Sequence, residues 1–208
     1  MHDTRLVICD WSGVISDDRK IVHECNMLMC ADMGVPLVSY DEWLPSVGLS
    51  VNDWYAARGV THTADEVIAA YEAAFKVVHA KGVRPSMYPD AKIFLERATA
   101  NRSAVVVSAH PQAFLEAEAD AYGIDQFFSQ LQGSLRSKTD AILTVLAQLN
   151  IAPEACVMIG DTTSDMRHAK AAGVRTVGIT TGYHTRGQLE AENPSLIVES
   201  LTELAESF

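Results

Sequence analysis

The sequence predicts an α/β fold: a parallel sheet with helices on both faces, and a helical domain inserted after the first strand. First, short apolar runs typical of strands buried on both faces occur at residues 6–9, 104–108 and 155–159, and a fourth strand is predicted at residues 174–179. Second, helical patterns alternate with these runs from residue 86 onwards, as in sheets whose parallel strands are joined by helices. Third, residues 18–84 carry helical signals and no strand signal.

The composition fits one large domain, or one domain with an insert. Its 208 residues are 48% hydrophobic, enough for a sizeable core, and the formal net charge of −11 argues against nucleic-acid binding. No stretch approaches the ~18 apolar residues of a membrane span, and Asp10 interrupts the N-terminal apolar run. We therefore expect a cytoplasmic protein with no membrane association. The four cysteines have no CxxC spacing and are expected as buried free thiols.

The helical insert is delimited by turn and capping signals. One helix is expected over residues 21–34, and another from the capping box Thr63-Ala64-Asp65-Glu66 to Lys81. Gly82-Val83-Arg84-Pro85 follows as a linker. We therefore predict a core domain of residues 1–17 and 85–208 and a helical cap domain of residues 18–84.

The second part of the chain continues the alternation of strands and helices. Its predicted helices are at residues 90–100, 111–123, 138–149 and 164–173, with a weak strand at 127–131 and a short strand at 196–198. The acidic run Glu116-Ala117-Glu118-Ala119-Asp120 is interpreted as a solvated helix face.

Polar side chains collect where three of the predicted strands end. Asp10, Ser108 and Asp161 follow apolar runs, Asp165 lies one helical turn further on, and Lys138 begins a helix. The carboxyl ends of parallel strands share one edge of a sheet, so we expect these residues to converge. Neighbouring carboxylates need a cation among them, and oxygen ligands suit Mg²⁺. A hydroxyl, turn amides and a lysine suit a phosphate group, so the set favours phosphoryl transfer.

These residues resemble the four motifs of the haloacid dehalogenase superfamily, specifically its phosphoglycolate phosphatase-like members with a helical cap. Asp10-Trp11-Ser12-Gly13-Val14 resembles the first motif, Asp-x-Asp-Gly-Thr/Val. Ser108 and Lys138 match the second and third motifs, and Gly160-Asp161-Thr162-Thr163-Ser164-Asp165 matches the fourth, Gly-Asp-x-x-x-Asp. The resemblance covers nearly the whole chain. It implies a Rossmann-like core, a cap that closes over the site and selects the substrate, and a Mg²⁺-dependent phosphatase that is a monomer or homodimer.

The resemblance also implies a role for each motif residue. Asp10 attacks phosphorus in a small phosphorylated substrate and becomes an aspartyl phosphate. The carboxylates of Asp10 and Asp161 and the backbone carbonyl of Ser12 hold Mg²⁺, supported by Asp165. The phosphoryl group is bound by Ser108, Lys138 and the backbone amides of Trp11, Ser12 and Ala109.

Ser12 is a departure from the family pattern. Phosphatases of the family carry an aspartate at this position, which protonates the leaving oxygen and later activates water. A serine hydroxyl is a poor acid and a poor base near neutral pH, and such catalysis typically contributes about 10²- to 10⁴-fold in rate. We therefore expect turnover that is impaired or assisted by another group. His110, His184 and His23 are candidates, although a structural or solvated histidine is the commoner case.

Two alternatives to a phosphatase remain open. Phosphonoacetaldehyde hydrolase, which cleaves a C–P bond, has a small residue at the position of Ser12 and a tryptophan before it. That enzyme also needs a cap lysine for a Schiff base, whereas the corresponding segment here, Val47-Gly48-Leu49-Ser50-Val51-Asn52, has none. The other alternative is a catalytically weak protein that binds a phosphorylated metabolite. Halide removal is not expected, because the fourth motif is of the metal-binding type.

Overall fold

The structure, a computed structural model, describes residues 3–47 and 51–208. Gly48, Leu49 and Ser50, within the segment expected to carry a Schiff-base lysine in a C–P hydrolase, lie outside the described residues. The chain divides into two compact units. We call Met1–Ser16 with Met87–Phe208 the sheet unit, and Asp17–Ser86 the helical unit.

A six-stranded parallel sheet forms the centre of the sheet unit, which confirms the predicted α/β class. Its strands are β1 (Leu6–Cys9), β4 (Ser103–Val107), β5 (Gln130–Gln132), β6 (Cys156–Gly160), β7 (Arg175–Ile179) and β8 (Leu196–Val198). Their spatial order is β5-β4-β1-β6-β7-β8. Strands β2 (Ser16–Asp17) and β3 (Ser86–Met87) lie where the chain passes from one unit to the other.

Helices α5 to α10 cover the sheet, and α1 to α4 belong to the helical unit. They are α1 (Arg19–Met33), α2 (Tyr40–Trp43), α3 (Val51–Ala56), α4 (Ala64–Ala80), α5 (Ala91–Ala98), α6 (Gln112–Tyr122), α7 (Lys138–Leu149), α8 (Thr163–Ala171), α9 (Arg186–Ala191) and α10 (Leu201–Ala205). No helix among the described residues has the length and apolar character needed to cross a membrane.

Strand β1 lies in the middle of the core. Val7 and Cys9 face an apolar layer that includes Phe94 of α5, whereas Leu6 and Ile8 face a second layer that includes Ile142 of α7. All four β1 residues are fully buried, which accounts for the apolar run without alternation.

The helical unit is built mainly from α1 and α4, which pack against each other. The predicted capping box is present, since the Thr63 hydroxyl accepts the Glu66 N–H and the Glu66 carboxylate accepts the Thr63 N–H. Gly34 ends α1 in the left-handed conformation at φ 68°. The hydroxyl of Tyr55, which is buried, donates to Asn26 Oδ1 at 2.9 Å.

The cysteines are buried and free, as predicted. Cys9 and Cys156 lie in the sheet unit, and Cys25 and Cys30 lie in the helical unit. Burial raises the pKa of Cys9 and of Cys25 to about 12, and the pKa of Cys156 to about 11.

Candidate active site

The three polar strand ends lie at adjacent places on one edge of the sheet. Asp10 follows β1, and its N–H still donates to the Ile159 carbonyl of β6 at 2.9 Å. Ser108 follows β4, and its N–H donates to the Gln132 carbonyl of β5 at 2.9 Å. Asp161 directly follows β6, which neighbours β1. The sheet hydrogen bonds therefore fix where the backbone of each residue enters the site.

Lys138 bridges two of the carboxylates. Its Nζ lies 2.7 Å from Asp10 Oδ2 and 2.6 Å from Asp165 Oδ1, and the Lys138 side chain is 11% exposed. Burial alone lowers the pKa of Lys138, but the two carboxylates outweigh this effect and hold the pKa above its usual range. The first residue of α7 thus places a fixed positive charge beside Asp10.

Asp161 forms no ion pair with a lysine, arginine or histidine among the described residues. Oxygens of Asp10, Asp161 and Asp165 lie within 4.8 Å of one another. Asp161 Oδ2 accepts the Tyr183 N–H at 2.8 Å, but its buried Oδ1 has no hydrogen-bond partner among the described residues. Burial and the neighbouring charges of Asp165 and Asp10 raise the pKa of Asp161 well above its usual value. An unpartnered oxygen in a buried set of carboxylates fits a hard cation such as Mg²⁺.

Asp165 is held in a different way. It closes a capping box with Thr162 at the start of α8, where its Oδ2 accepts the Thr162 N–H at 3.0 Å. Burial raises the pKa of Asp165, but the Lys138 ammonium outweighs it and leaves the pKa below its usual value. Asp165 is therefore a fixed carboxylate.

Glycines leave room for these carboxylates. A Cβ atom on Gly13 or Gly182 would overlap the carboxylate of Asp161, and a Cβ on Gly160 would overlap the side chain of Asp165. Gly13 also has a φ of +76°, which favours glycine. Glycine is therefore required in the first and fourth motifs because a larger residue would collide with the carboxylate side chains of Asp161 and Asp165.

The groups expected to bind phosphate surround Asp10. The Trp11 N–H donates to Asp10 Oδ1 at 2.7 Å, and the Ser108 hydroxyl is also hydrogen-bonded to Asp10. Ala109 lies in the turn between β4 and α6. Burial raises the pKa of Asp10, which Lys138 opposes. The structure thus places a buried carboxylate beside an ammonium, a hydroxyl and a backbone amide.

Ser12 contacts one of the candidate histidines. Its Oγ, in a partly buried residue, lies 3.5 Å from His110 Nδ1, and His110 Nε2 lies 3.2 Å from Glu118 Oε1. Glu118 Oε2 accepts the Trp11 indole N–H at 2.7 Å. The Trp11 ring stacks on Tyr122, with 5.8 Å between centroids.

The other two histidines make different contacts. His184 Nδ1 accepts the Thr163 N–H at 3.0 Å, and His23 Nε2 lies 2.9 Å from the carbonyl oxygen of Val38 within the helical unit. Both of these hydrogen bonds join an imidazole ring to a backbone group.

The interpretation of residues 116–120 as a solvated face was wrong for Glu118, which is 5% exposed. Leu115, Glu118 and Ala119 are the buried residues of α6, and Tyr122 contacts Trp11. Glu118, Ala119 and Tyr122 lie three, four and seven residues after Leu115, which is the spacing of residues on one face of a helix, and this spacing identifies the buried face of α6.

Comparison with known proteins places this site in a family. The sequence model of the haloacid dehalogenase-like hydrolases matches residues 7–179. The chain is 27% identical to a phosphoglycolate phosphatase of Pseudomonas putida, over 96% of this chain and 78% of the relative. It is 26% identical to the tyrosine-protein kinase PtkA of Mycobacterium tuberculosis, over 95% and 69% of the two chains. The structure of a haloacid dehalogenase-like hydrolase from Streptococcus pneumoniae superposes with a TM-score of 0.85 at 23% identity, covering 100% of both chains.

The chain therefore belongs to the haloacid dehalogenase-like hydrolase family. Together with its similarity to phosphatases, this membership makes the protein a phosphatase-type hydrolase. The resemblance inferred from the four motifs is confirmed.

Proposed function

We propose that the protein is a Mg²⁺-dependent phosphatase that hydrolyses a small phosphorylated metabolite through an aspartyl phosphate on Asp10. The observation that carries this proposal is the buried cluster in which Asp10, Asp161 and Asp165 converge with oxygens within 4.8 Å of one another. Lys138 and Ser108 contact Asp10 in the same cluster. Phosphoryl transfer requires this combination of a positioned nucleophile and concentrated positive charge.

The carboxylates of Asp10, Asp161 and Asp165 and the Ser12 carbonyl would hold the metal ion. When bound, Mg²⁺ supplies positive charge that stabilises the phosphoryl oxygens during transfer. Asp161 Oδ1 supports this assignment, because it is buried and has no hydrogen-bond partner in the part of the chain that the structure describes.

The remaining groups orient the nucleophile and the phosphoryl group. The Trp11 N–H holds Asp10 Oδ1, and the Lys138 ammonium holds Oδ2, so the carboxylate cannot rotate freely. Lys138, the Ser108 hydroxyl and the amides of Ser12 and Ala109 bind the oxygens of the incoming phosphoryl group. Asp10 then attacks phosphorus, and water hydrolyses the aspartyl phosphate. We assign substrate selection to the helical unit, in line with its resemblance to the family's caps.

A phosphate-release screen tests this proposal. Small phosphorylated acids, phosphoglycolate among them, and sugar phosphates are incubated with the protein in Mg²⁺ or in EDTA. We expect release that requires Mg²⁺, is abolished in Asp10→Asn and persists in the exposed control Asp120→Asn. Release from phosphonoacetaldehyde alone would support C–P cleavage, and tight binding without turnover would support a binding protein. Transfer from ATP to a tyrosine peptide without hydrolysis of any metabolite would also refute the proposal.

A further inference from the structure

The contacts around Ser12 suggest how the protein manages without the usual second aspartate. We propose that His110 is the source and acceptor of the proton in both half-reactions, that the Ser12 hydroxyl passes this proton, and that Glu118 is the positioning residue for the imidazole. The inference rests on the proposed phosphatase function and concerns the same site.

The imidazole is held where this role requires it. The His110 N–H donates to Ser108 Oγ at 3.2 Å, so the phosphate-binding turn fixes the His110 backbone. The side chains of His110 and Glu118 are 1% and 6% exposed. A buried imidazole held at both ends has a defined orientation, which a solvated histidine lacks.

The hydrogen-bond partners of the His110 imidazole determine which of its two nitrogens can exchange a proton. An ionised carboxylate can only accept hydrogen bonds, and Glu118 already accepts one from the Trp11 indole N–H at 2.7 Å. His110 Nε2, 3.2 Å from the other oxygen of Glu118, therefore carries a hydrogen. The nitrogen that gains and loses a proton is then Nδ1, which lies 3.5 Å from Ser12 Oγ. The carboxylate also compensates the positive charge of the imidazolium, as an acidic partner does in serine hydrolases.

Serine is suited to this relay although it is a poor acid or base by itself. Its hydroxyl donates one hydrogen bond and accepts others, so it can release one proton while it takes up another. Ser12 occupies the position from which the family's aspartate reaches the leaving oxygen. The hydroxyl thus connects that position to the Nδ1 atom of the His110 imidazole.

The two half-reactions balance in protons and bonds. In the first, the bond from Asp10 to phosphorus forms as the bond from phosphorus to the leaving oxygen breaks. The leaving oxygen takes the Ser12 proton, Ser12 takes the proton of His110 Nδ1, and neutral imidazole remains. In the second, water attacks phosphorus and the bond to Asp10 breaks. The water proton passes to Ser12, and the Ser12 proton returns to Nδ1, which restores the imidazolium.

Leaving-group dependence tests the relay. An alkoxide needs a proton in order to leave, whereas p-nitrophenolate does not. In Mg²⁺ we expect His110→Gln and Ser12→Ala each to lower kcat for an alkyl phosphate about 10²-fold and to lower p-nitrophenyl phosphate cleavage much less. Since both variants break the same relay, the double variant should be little worse than either one. Ser12→Asp introduced into His110→Gln should restore alkyl phosphate hydrolysis, because an aspartate needs no relay.

The positioning role of Glu118 has its own matched control. Glu118→Gln should reproduce the selective loss on alkyl phosphate, whereas Glu116→Gln, exposed on the same helix, should behave like the native protein. Ser12→Ala keeps the inference testable if a change at His110 or Glu118 prevents folding. Equal losses on both substrates without rescue by Ser12→Asp would mean that the network only supports Trp11, and would overturn the relay while the phosphatase function stands. Absence of Mg²⁺-dependent hydrolysis of either substrate by the native protein would overturn the proposed function and the relay together.

Discussion

Replacing Asp161 by asparagine is expected to stabilise the metal-free protein and to abolish its response to Mg²⁺. Asp161 is fully buried and shares its surroundings with Asp10 and Asp165. The Tyr183 N–H, now 2.8 Å from Asp161 Oδ2, can still donate to the asparagine oxygen. The substitution therefore keeps the size of the side chain and removes mainly its charge.

The magnitude follows from the distances between the charges. Two like charges 4.8 Å apart repel by about 3 kcal/mol at an effective dielectric constant of about 20, and Asp161 has two such neighbours. Asp161→Asn also loses the attraction to Lys138, which offsets roughly one of these two repulsions. The new asparagine amide is poorly paired, which costs a further ~1 to 3 kcal/mol. We therefore expect a net gain in the free energy of unfolding of up to about 2 kcal/mol, or up to roughly 8 °C in Tm.

Thermal unfolding in EDTA and in Mg²⁺ measures both effects. At about 100 times its Kd, Mg²⁺ stabilises the native protein by about 2.7 kcal/mol, which offsets or reverses the advantage of the variant. Asp120→Asn controls for the loss of one negative charge. The reasoning fails if Asp161→Asn is no more stable than the native protein in EDTA, or if Mg²⁺ raises the Tm of both equally.

The pH dependence gives a second readout of the same charge. Because the pKa of Asp161 is raised on folding from its usual 3.8, the folded state keeps a proton that the unfolded chain has released. This contribution to stability is present below pH 3.8 and is lost as the pH rises through the raised pKa. In EDTA, the free energy of unfolding of Asp161→Asn should therefore not show this decrease as the pH rises.

Three further substitutions test other contacts. Lys138→Met leaves two buried carboxylates without their cation and should destabilise the metal-free protein by about 3 to 5 kcal/mol in urea unfolding. Gly182→Ala should remove the Mg²⁺-induced rise in Tm, because its Cβ would overlap Asp161, whereas Gly187→Ala, with open space around it, should not. Trp11→Phe keeps an aromatic ring but loses the indole hydrogen bond to the buried carboxylate of α6, which should cost about 1.5 to 3 kcal/mol.

The sequence predicts the central strands better than the periphery of the sheet. Strands β1 and β6 are buried along their whole length, and β4 is buried from Ala104 to Val107, so these stretches contain no charged or strongly polar residue. The weak strand expected at 127–131 is instead a 3-10 turn at Asp125–Phe127 followed by β5, an edge strand of three residues. Helices α9 and α10, with six and five residues, were not predicted because they are too short for a periodic pattern.

The residues of the candidate site also fall into a group that the sequence predicts and a group that it does not. Asp10, Ser108 and Asp161 were identified because strand ends share one edge of a parallel sheet, which is a property of the topology. The contact between Ser12 and His110 depends on the conformation of two turns, which apolar periodicity does not describe. Glu118 was missed because the acidic run was interpreted by its charge, without regard to which helix positions face inwards.

The placement of the cysteines makes them reporters of local opening. Each unit contains two buried thiols with raised pKa values, Cys9 and Cys156 in one and Cys25 and Cys30 in the other. A thiol in this state reacts with an alkylating reagent only after the surrounding structure opens and the thiolate forms. Mass-spectrometric alkylation rates at the four positions therefore compare the opening free energies of the two units within one unmodified chain. If a phosphorylated ligand slows the labelling of Cys25 and Cys30 as well as that of Cys9, its binding stabilises both units against local opening.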